Sequence, residues 1–156
     1  MRFEHLIQIN DPSNPLIASL SVEQTWDGLM RRVTEPELFL PGLERCVILA
    51  RLDNRVEREL HFGQAMIRDA VEFEEHQWVS FTSHPNAHHA GGKLTIKLET
   101  PEAGQLFLRF TYETGLAEGM VQDGVQVAEY IKSAYRQSDL DTVRTIRLLA
   151  SGGSLH

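Results

Sequence analysis

The sequence predicts an α+β fold in which a curved antiparallel sheet grips one long C-terminal helix around an apolar pocket. Six short extended runs lie between Arg45 and Thr114, separated by turn residues at hairpin spacing. An amphipathic stretch runs from Asp123 to about Leu149, and a strand with two helical segments precedes the six runs. The expected order is β-α-α-β-β-β-β-β-β-α, seven strands in all.

The first strand is Arg2 to Asn10, where Phe3, Ile7 and Ile9 alternate with polar positions until Asp11, Pro12, Asn14 and Pro15 break the run. Ser21 followed by Gln24 forms a capping-box pattern. Val22, Trp26, Leu29, Met30 and Val33 then recur at helical spacing up to Pro36. A second helical segment, Glu37 to Leu40, stops at Pro41-Gly42. These helices are expected to plug one end of the sheet. Turn signals at Asp53-Asn54, Gly63-Gln64, Glu75-His76, Pro85 to Gly92 and Pro101 to Gly104 divide the six strands. On the final helix Val127, Ala128, Ile131, Ala134, Tyr135, Thr142, Ile146 and Leu149 share one face, and Glu129, Lys132, Arg136, Arg144 and Arg147 the other. Residues 1–150 are expected to form a single ligand-binding domain and residues 151–156 a flexible tail.

A chain of 156 residues is long enough to bury roughly 70% of its unfolded surface. Its net charge of −7 and lack of a basic cluster interleaved with aromatics argue against nucleic acid. The apolar runs, such as Cys46 to Ala50, are too short to span a bilayer, and the N-terminus lacks the pattern of a signal peptide. A cytoplasmic protein is expected. Cys46 has no second cysteine to pair with and reads as a small buried hydrophobe.

Strand register is readable because a slip of one residue would invert both faces. A two-residue II′ turn at Gly63-Gln64 pairs Phe62 with Ala65, Leu60 with Ile67, Arg58 with Asp69, and Val56 with Val71. The next turn sets Phe73 beside Val79, Val71 beside Phe81, and Asp69 beside Ser83. In the last two strands Leu94, Ile96 and Leu98 are expected near Phe110, Leu108 and Leu106, with Tyr112 toward the strand end. The second strand stays undecided, since Cys46, Ile48 and Ala50 compete with Val47 and Leu49 for the inward face.

The inward face is apolar except for a row of Arg58, Asp69 and Ser83. Such groups inside a cavity can orient a polar ligand when paired. They can equally be a structural ion pair at the sheet edge, or lie in solvent if the register is shifted. The ligand-binding candidates are Arg58, Asp69, Phe81, Ser83, Phe110, Tyr112, Ile131, Tyr135 and Thr142.

His84, His88 and His89 share a loop, with Asp69 or Glu113 as further donors, but adjacent histidines diverge in a strand and the i, i+4 spacing of a helical zinc pair is missing. No metal and no cofactor are expected. Gly91-Gly92-Lys93 lacks the full phosphate-loop pattern and reads as a loop at the pocket mouth. No nucleophile elbow is present, and Cys46 has no evident histidine partner. Tyr112, Tyr135, Thr142 and Arg58 form a conceivable acid/base and orienting set for an enolate, though each also suits plain packing. Trp26 and Trp78 read as packing residues.

The element order and the stretches Pro36-Glu-Leu-Phe-Leu-Pro-Gly-Leu43, Arg58-Glu-Leu-His-Phe-Gly63 and Leu106-Phe-Leu-Arg-Phe-Thr-Tyr-Glu-Thr114 resemble the AtaL-like branch of the START/SRPBCC superfamily, over roughly residues 1 to 150. The chain also resembles a bacterial pathogenesis-related-allergen-like protein of that branch. The superfamily also contains birch-pollen-type allergens and aromatic polyketide cyclases. The resemblance implies the helix-grip fold and a cavity, and it transfers no catalytic residue. The leading expectation is a binding module for a small hydrophobic or aromatic molecule. The alternative is a cyclase- or dehydratase-like enzyme for a polyketide or aromatic substrate, using Arg58, Asp69, Tyr112 or Tyr135. A third is an interaction protein forming a homodimer through an edge strand or outer sheet surface.

Overall fold

A computed structural model describes residues 1–87, 90–115, 121–122 and 125–152. β1 (Arg2–Asn10) is followed by helix α1 (Val22–Thr34) and a 3-10 turn at Pro36–Leu38. Then come β2 (Arg45–Leu52), β3 (Arg55–Phe62), β4 (Ala65–Glu74), β5 (Trp78–Ser83), β6 (Gly92–Glu99) and β7 (Leu106–Thr114). A two-strand ribbon, β8 (Val121–Gln122) and β9 (Val125–Gln126), leads into α2 (Val127–Ala150).

The seven long strands form one antiparallel sheet in the order β1-β7-β6-β5-β4-β3-β2. The meander runs from β2 to β7, and β1 adds beside β7, so the first two strands of the chain are the two edges. α1 and its 3-10 turn carry the chain from one edge to the other. The helix-grip expectation holds, and the β8–β9 ribbon is an addition to it. α2 starts at Val127, later than the Asp123 read from the sequence, because residues 125–126 are extended.

Local chemistry sets the ends of α1. Ser21 Oγ accepts from the Gln24 N–H at 3.0 Å, and Gln24 Oε1 accepts from the Ser21 N–H at 2.9 Å, which completes the capping box. The second helical segment is only a single 3-10 turn, beginning at Pro36, a position whose fixed φ suits a helix start.

The β3–β4 and β4–β5 registers are as read, including Arg58 opposite Asp69 and Asp69 opposite Ser83. Gly63 has φ 61° and Gln64 does not have positive φ, as a II′ turn requires. The β6–β7 register differs by two residues: Leu94 faces Tyr112, Ile96 faces Phe110, and Leu98 faces Leu108. The faces are unchanged, since a shift of two preserves side-chain parity. Pairing ends at Glu99–Phe107 because the connection takes a turn closed by the Gln105 N–H on Glu102 O. Leu106 then pairs only with Asn10 of β1.

A bulge decides β2. Cys46 faces Leu60 and Ile48 faces Arg58, but the register slips between Ile48 and Ala50, so that Arg51 faces Val56. Ile48 packs against the core, Cys46 is half-buried, and Leu49 is exposed. The extra residue ends the alternation that had left two phases in competition.

The core joins the concave sheet face to both helices through Leu29 and Val33 of α1, Val71, Val79, Ile96, Leu108 and Phe110 of the sheet, and Val143 and Ile146 of α2. α1 and α2 cross at Gly28, where an added Cβ would lie 2.8 Å from Ile146. No helix among the described residues is long and apolar enough to cross a membrane.

Candidate functional site

A cavity of about 260 Å³ lies between the sheet, the C-terminal end of α1 and α2. Leu60, Phe62 and Ile67 from the β3–β4 hairpin, Phe81 from β5 and Leu94 from β6 supply its apolar walls. Period-two alternation puts these side chains on one face. Tyr112 and Tyr135 close another side, their rings stacked with centroids 3.8 Å apart and planes at 4°. The mouth carries Gly91, Gly92 and Lys93. Gly91 has φ 83°, and a Cβ there would sit 3.0 Å from Ser83 O, so this connection needs glycine.

Among the sequence-derived candidates, Arg58, Asp69, Phe81, Ser83, Tyr112 and Tyr135 line this cavity. Phe110, Ile131 and Thr142 do not. Phe110 and Thr142 are instead sealed in packing, at 0% and 1% exposure. Ala134, expected on the inward face of α2, is exposed. His88 and His89 lie outside the described residues. Among the described residues no group of three or more His, Cys, Asp or Glu is placed to hold a metal ion.

The Arg58–Asp69 pair is already satisfied. Arg58 Nε donates to Asp69 Oδ1 at 2.9 Å and Nη2 to Oδ2 at 2.5 Å. Its Nη1 donates to the main-chain oxygens of Arg32 and Val33 at 3.1 and 2.9 Å. One guanidinium thus neutralises a buried carboxylate and caps the open carbonyls at the end of α1, where positive charge also complements the helix dipole. The structural ion pair is therefore realised, while the pair also borders the cavity.

Two charged residues at the centre of the molecule were missed from the sequence, Arg32 and Asp139. Both lie on helix faces that otherwise read as apolar stripes. Arg32 follows Leu29 by three positions, and Asp139 sits between Tyr135 and Thr142. A charge in phase with a buried stripe was the available signal.

Arg32 is 8% exposed, lines the cavity, and donates through Nη1 to Thr142 Oγ1 at 2.6 Å. Its guanidinium carbon and that of Arg58 each lie 5.3 Å from the centroid of the Phe81 ring, so that one aromatic serves two cation–π contacts. Burial lowers the Arg32 pKa, with Tyr112 and Asp139 opposing the shift, yet arginine stays protonated in proteins.

Asp139 is 1% exposed. Its Oδ1 accepts a short hydrogen bond from the Tyr112 hydroxyl, and its Oδ2 lies 3.1 Å from His5 Nδ1. Burial pushes its carboxyl up to about 6, against the opposing pull of the Tyr112 and His5 hydrogen bonds and the charges of His5 and Arg32. Burial, followed by the neighbouring Asp139, raises the Tyr112 phenol far above its ordinary value. Tyr112 is consequently a neutral donor. Tyr112, Asp139 and His5 form a continuous polar chain from the cavity wall to the partly exposed surface of β1.

The chain belongs to the AtaL family: the family model described as acetylaranotin biosynthesis cluster protein L matches residues 7–153. No curated protein matches it. Its structure is similar to that of the Zhui aromatase/cyclase from Streptomyces sp. R1128, with 14% identity, 99% of each chain covered and a TM-score of 0.65. It is also similar to a START superfamily protein from Mycobacterium smegmatis, with 10% identity, 97% of each chain covered and a TM-score of 0.64. Ara h 8.0201 superposes at 9% identity over 98% of this chain and 100% of that one, with a TM-score of 0.63. At these identities the likeness establishes a shared helix-grip fold.

Proposed function

We propose that this AtaL-family chain binds a small hydrophobic or aromatic molecule in the cavity between sheet and C-terminal helix. The observation that carries the reading is the cavity itself: aliphatic and aromatic walls with a few converging polar groups, the usual make-up of a small-molecule site. Its volume of about 260 Å³ falls just under the ~300–1,000 Å³ typical of such sites, which favours a ligand of one or two rings. Native mass spectrometry of the chain purified from its own host, set against the denatured mass, is expected to reveal a small aromatic adduct. Ser83→Phe, which fills the cavity from β5, is expected to abolish that adduct. An adduct that survives in Ser83→Phe, or a wild-type chain that takes up no aromatic compound at millimolar concentration, would refute the assignment.

A second reading is a cyclase- or dehydratase-like enzyme. It is favoured by the Tyr112–Asp139–His5 chain, because a neutral phenol at the cavity wall can donate to a developing enolate while the carboxylate behind it fixes its orientation. The similarity to an aromatase/cyclase supports it at the level of fold. Tyr112→Phe is the decisive variant: under this reading, turnover of an accepted substrate falls about 100-fold or more while binding is retained. Undiminished turnover would remove Tyr112 from the chemistry.

A further inference from the structure

We infer that the ligand carries an oxyanion, a carboxylate or enolate attached to a small aromatic ring system, and that Arg32 is the residue that receives it. This rests on the reading of the cavity as an aromatic-binding site and specifies the chemistry of its occupant.

The charges in and beside the cavity are unevenly paired. Arg32, Arg58 and Asp69 are buried in the cavity lining, and Asp139 is buried behind Tyr112. Arg58 and Asp69 neutralise each other through two parallel hydrogen bonds, and the remaining Nη1 of Arg58 is committed to the end of α1. Asp139 is held by Tyr112 and His5. Arg32 is left over. Among the described residues no carboxylate lies within ion-pair distance of it, and Thr142 Oγ1 is its one hydrogen-bond acceptor. None of its nitrogens is both fully buried and without a hydrogen bond, and the residue lines the cavity.

A buried, unpaired guanidinium is costly, and the cost is relieved when an anion with matching geometry arrives. The planar fork of arginine suits a carboxylate or the oxygen pair of an enolised dicarbonyl. The Phe81 ring, itself part of the cavity wall, lies against the Arg32 guanidinium, and the Tyr112–Tyr135 stack offers a flat wall for a ring. Arg58, the arginine that the sequence singles out, has no spare donor pair to offer.

The test uses 1-naphthoate and its neutral isostere 1-naphthamide, titrated calorimetrically into the intact chain and into Arg32→Met and Arg32→Lys. The wild type is expected to bind naphthoate about 10- to 100-fold more tightly than naphthamide, the range for gaining charge-assisted hydrogen bonds. Arg32→Met should lose that preference, whatever its effect on naphthamide, and Arg32→Lys should retain part of it. Equal affinities in the wild type, which need no variant to measure, or an undiminished preference in Arg32→Met, would overturn the assignment to Arg32 and leave the aromatic cavity intact. Failure of the wild type to bind either compound would instead remove the cavity reading and this inference with it.

Discussion

Arg58 on β3 and Asp69 on β4 stand directly opposite each other and are joined by two parallel hydrogen bonds of 2.9 and 2.5 Å, with side chains 2% and 3% exposed. Removing one partner leaves the other buried and uncompensated. Arg58→Met is therefore expected to cost about 3–5 kcal/mol, measured by urea unfolding. Replacing both, as Arg58→Met with Asp69→Leu, should cost less than Arg58→Met alone, the residual loss reflecting the uncapped carbonyls of Arg32 and Val33. A double variant worse than that single one would mean that Asp69 without Arg58 is not the uncompensated buried charge invoked here.

Asp139 gives stability a pH dependence of unusual sign for a carboxylate. Its folded pKa of about 6 lies above the ordinary 3.8, so the folded state holds the proton more tightly than the unfolded chain. The stabilisation is full below pH ~4 and is lost as pH rises to about 6, amounting to roughly 3 kcal/mol. Tyr112 from β7, His5 from β1 and Arg32 from α1 are the groups that face it. Asp139→Asn lacks this titration. Its stability relative to wild type should therefore climb between pH 4 and pH 6 in stepwise urea denaturation; a constant difference would show that Asp139 titrates normally.

Gly28 lets α1 approach α2. A Cβ there would sit 2.8 Å from both Ile146 Cγ1 and Cγ2, and Ile146 is itself 2% exposed. Gly28→Ala is expected to destabilise by about 1–3 kcal/mol despite alanine's better helix propensity. Adding Ile146→Val, which removes a methyl from the crowded side chain, should recover part of the loss in thermal unfolding.

At the cavity mouth, Gly91→Ala brings a Cβ against Ser83 O and Pro85 at a positive φ. The connection must shift, costing of order 1 kcal/mol. Because Gly91, Gly92 and Ser83 all line the cavity, naphthoate affinity should change along with stability, and an unaltered affinity would separate this loop from the site.

Much of the sheet follows from local rules. Alternation with period two and a two-residue turn at Gly63-Gln64 are enough to place Arg58 against Asp69 and Asp69 against Ser83, since each residue's face is dictated by its neighbours in the strand. The same alternation put Phe81 and Tyr112 on the cavity face, and helical periodicity put Tyr135 there. It stopped at β2, where the bulge after Ile48 changes the phase, and at the β6–β7 connection, where the turn between Glu99 and Leu106 sets a register two residues away from the one expected.

The roles of Arg32, Thr142 and Asp139 belong to another level. Each sits at a helix position that periodicity marks as inward, yet periodicity says nothing about which partner waits there. Thr142 became the acceptor for Arg32, 110 residues away in the chain, and Asp139 the acceptor for Tyr112, 27 residues away. Order, faces and most of the register are properties of short segments and can be read from them. Whether a buried charge is neutralised by a partner or left facing a cavity depends on desolvation and distance between segments remote in sequence, and those are set only when the helices close over the sheet.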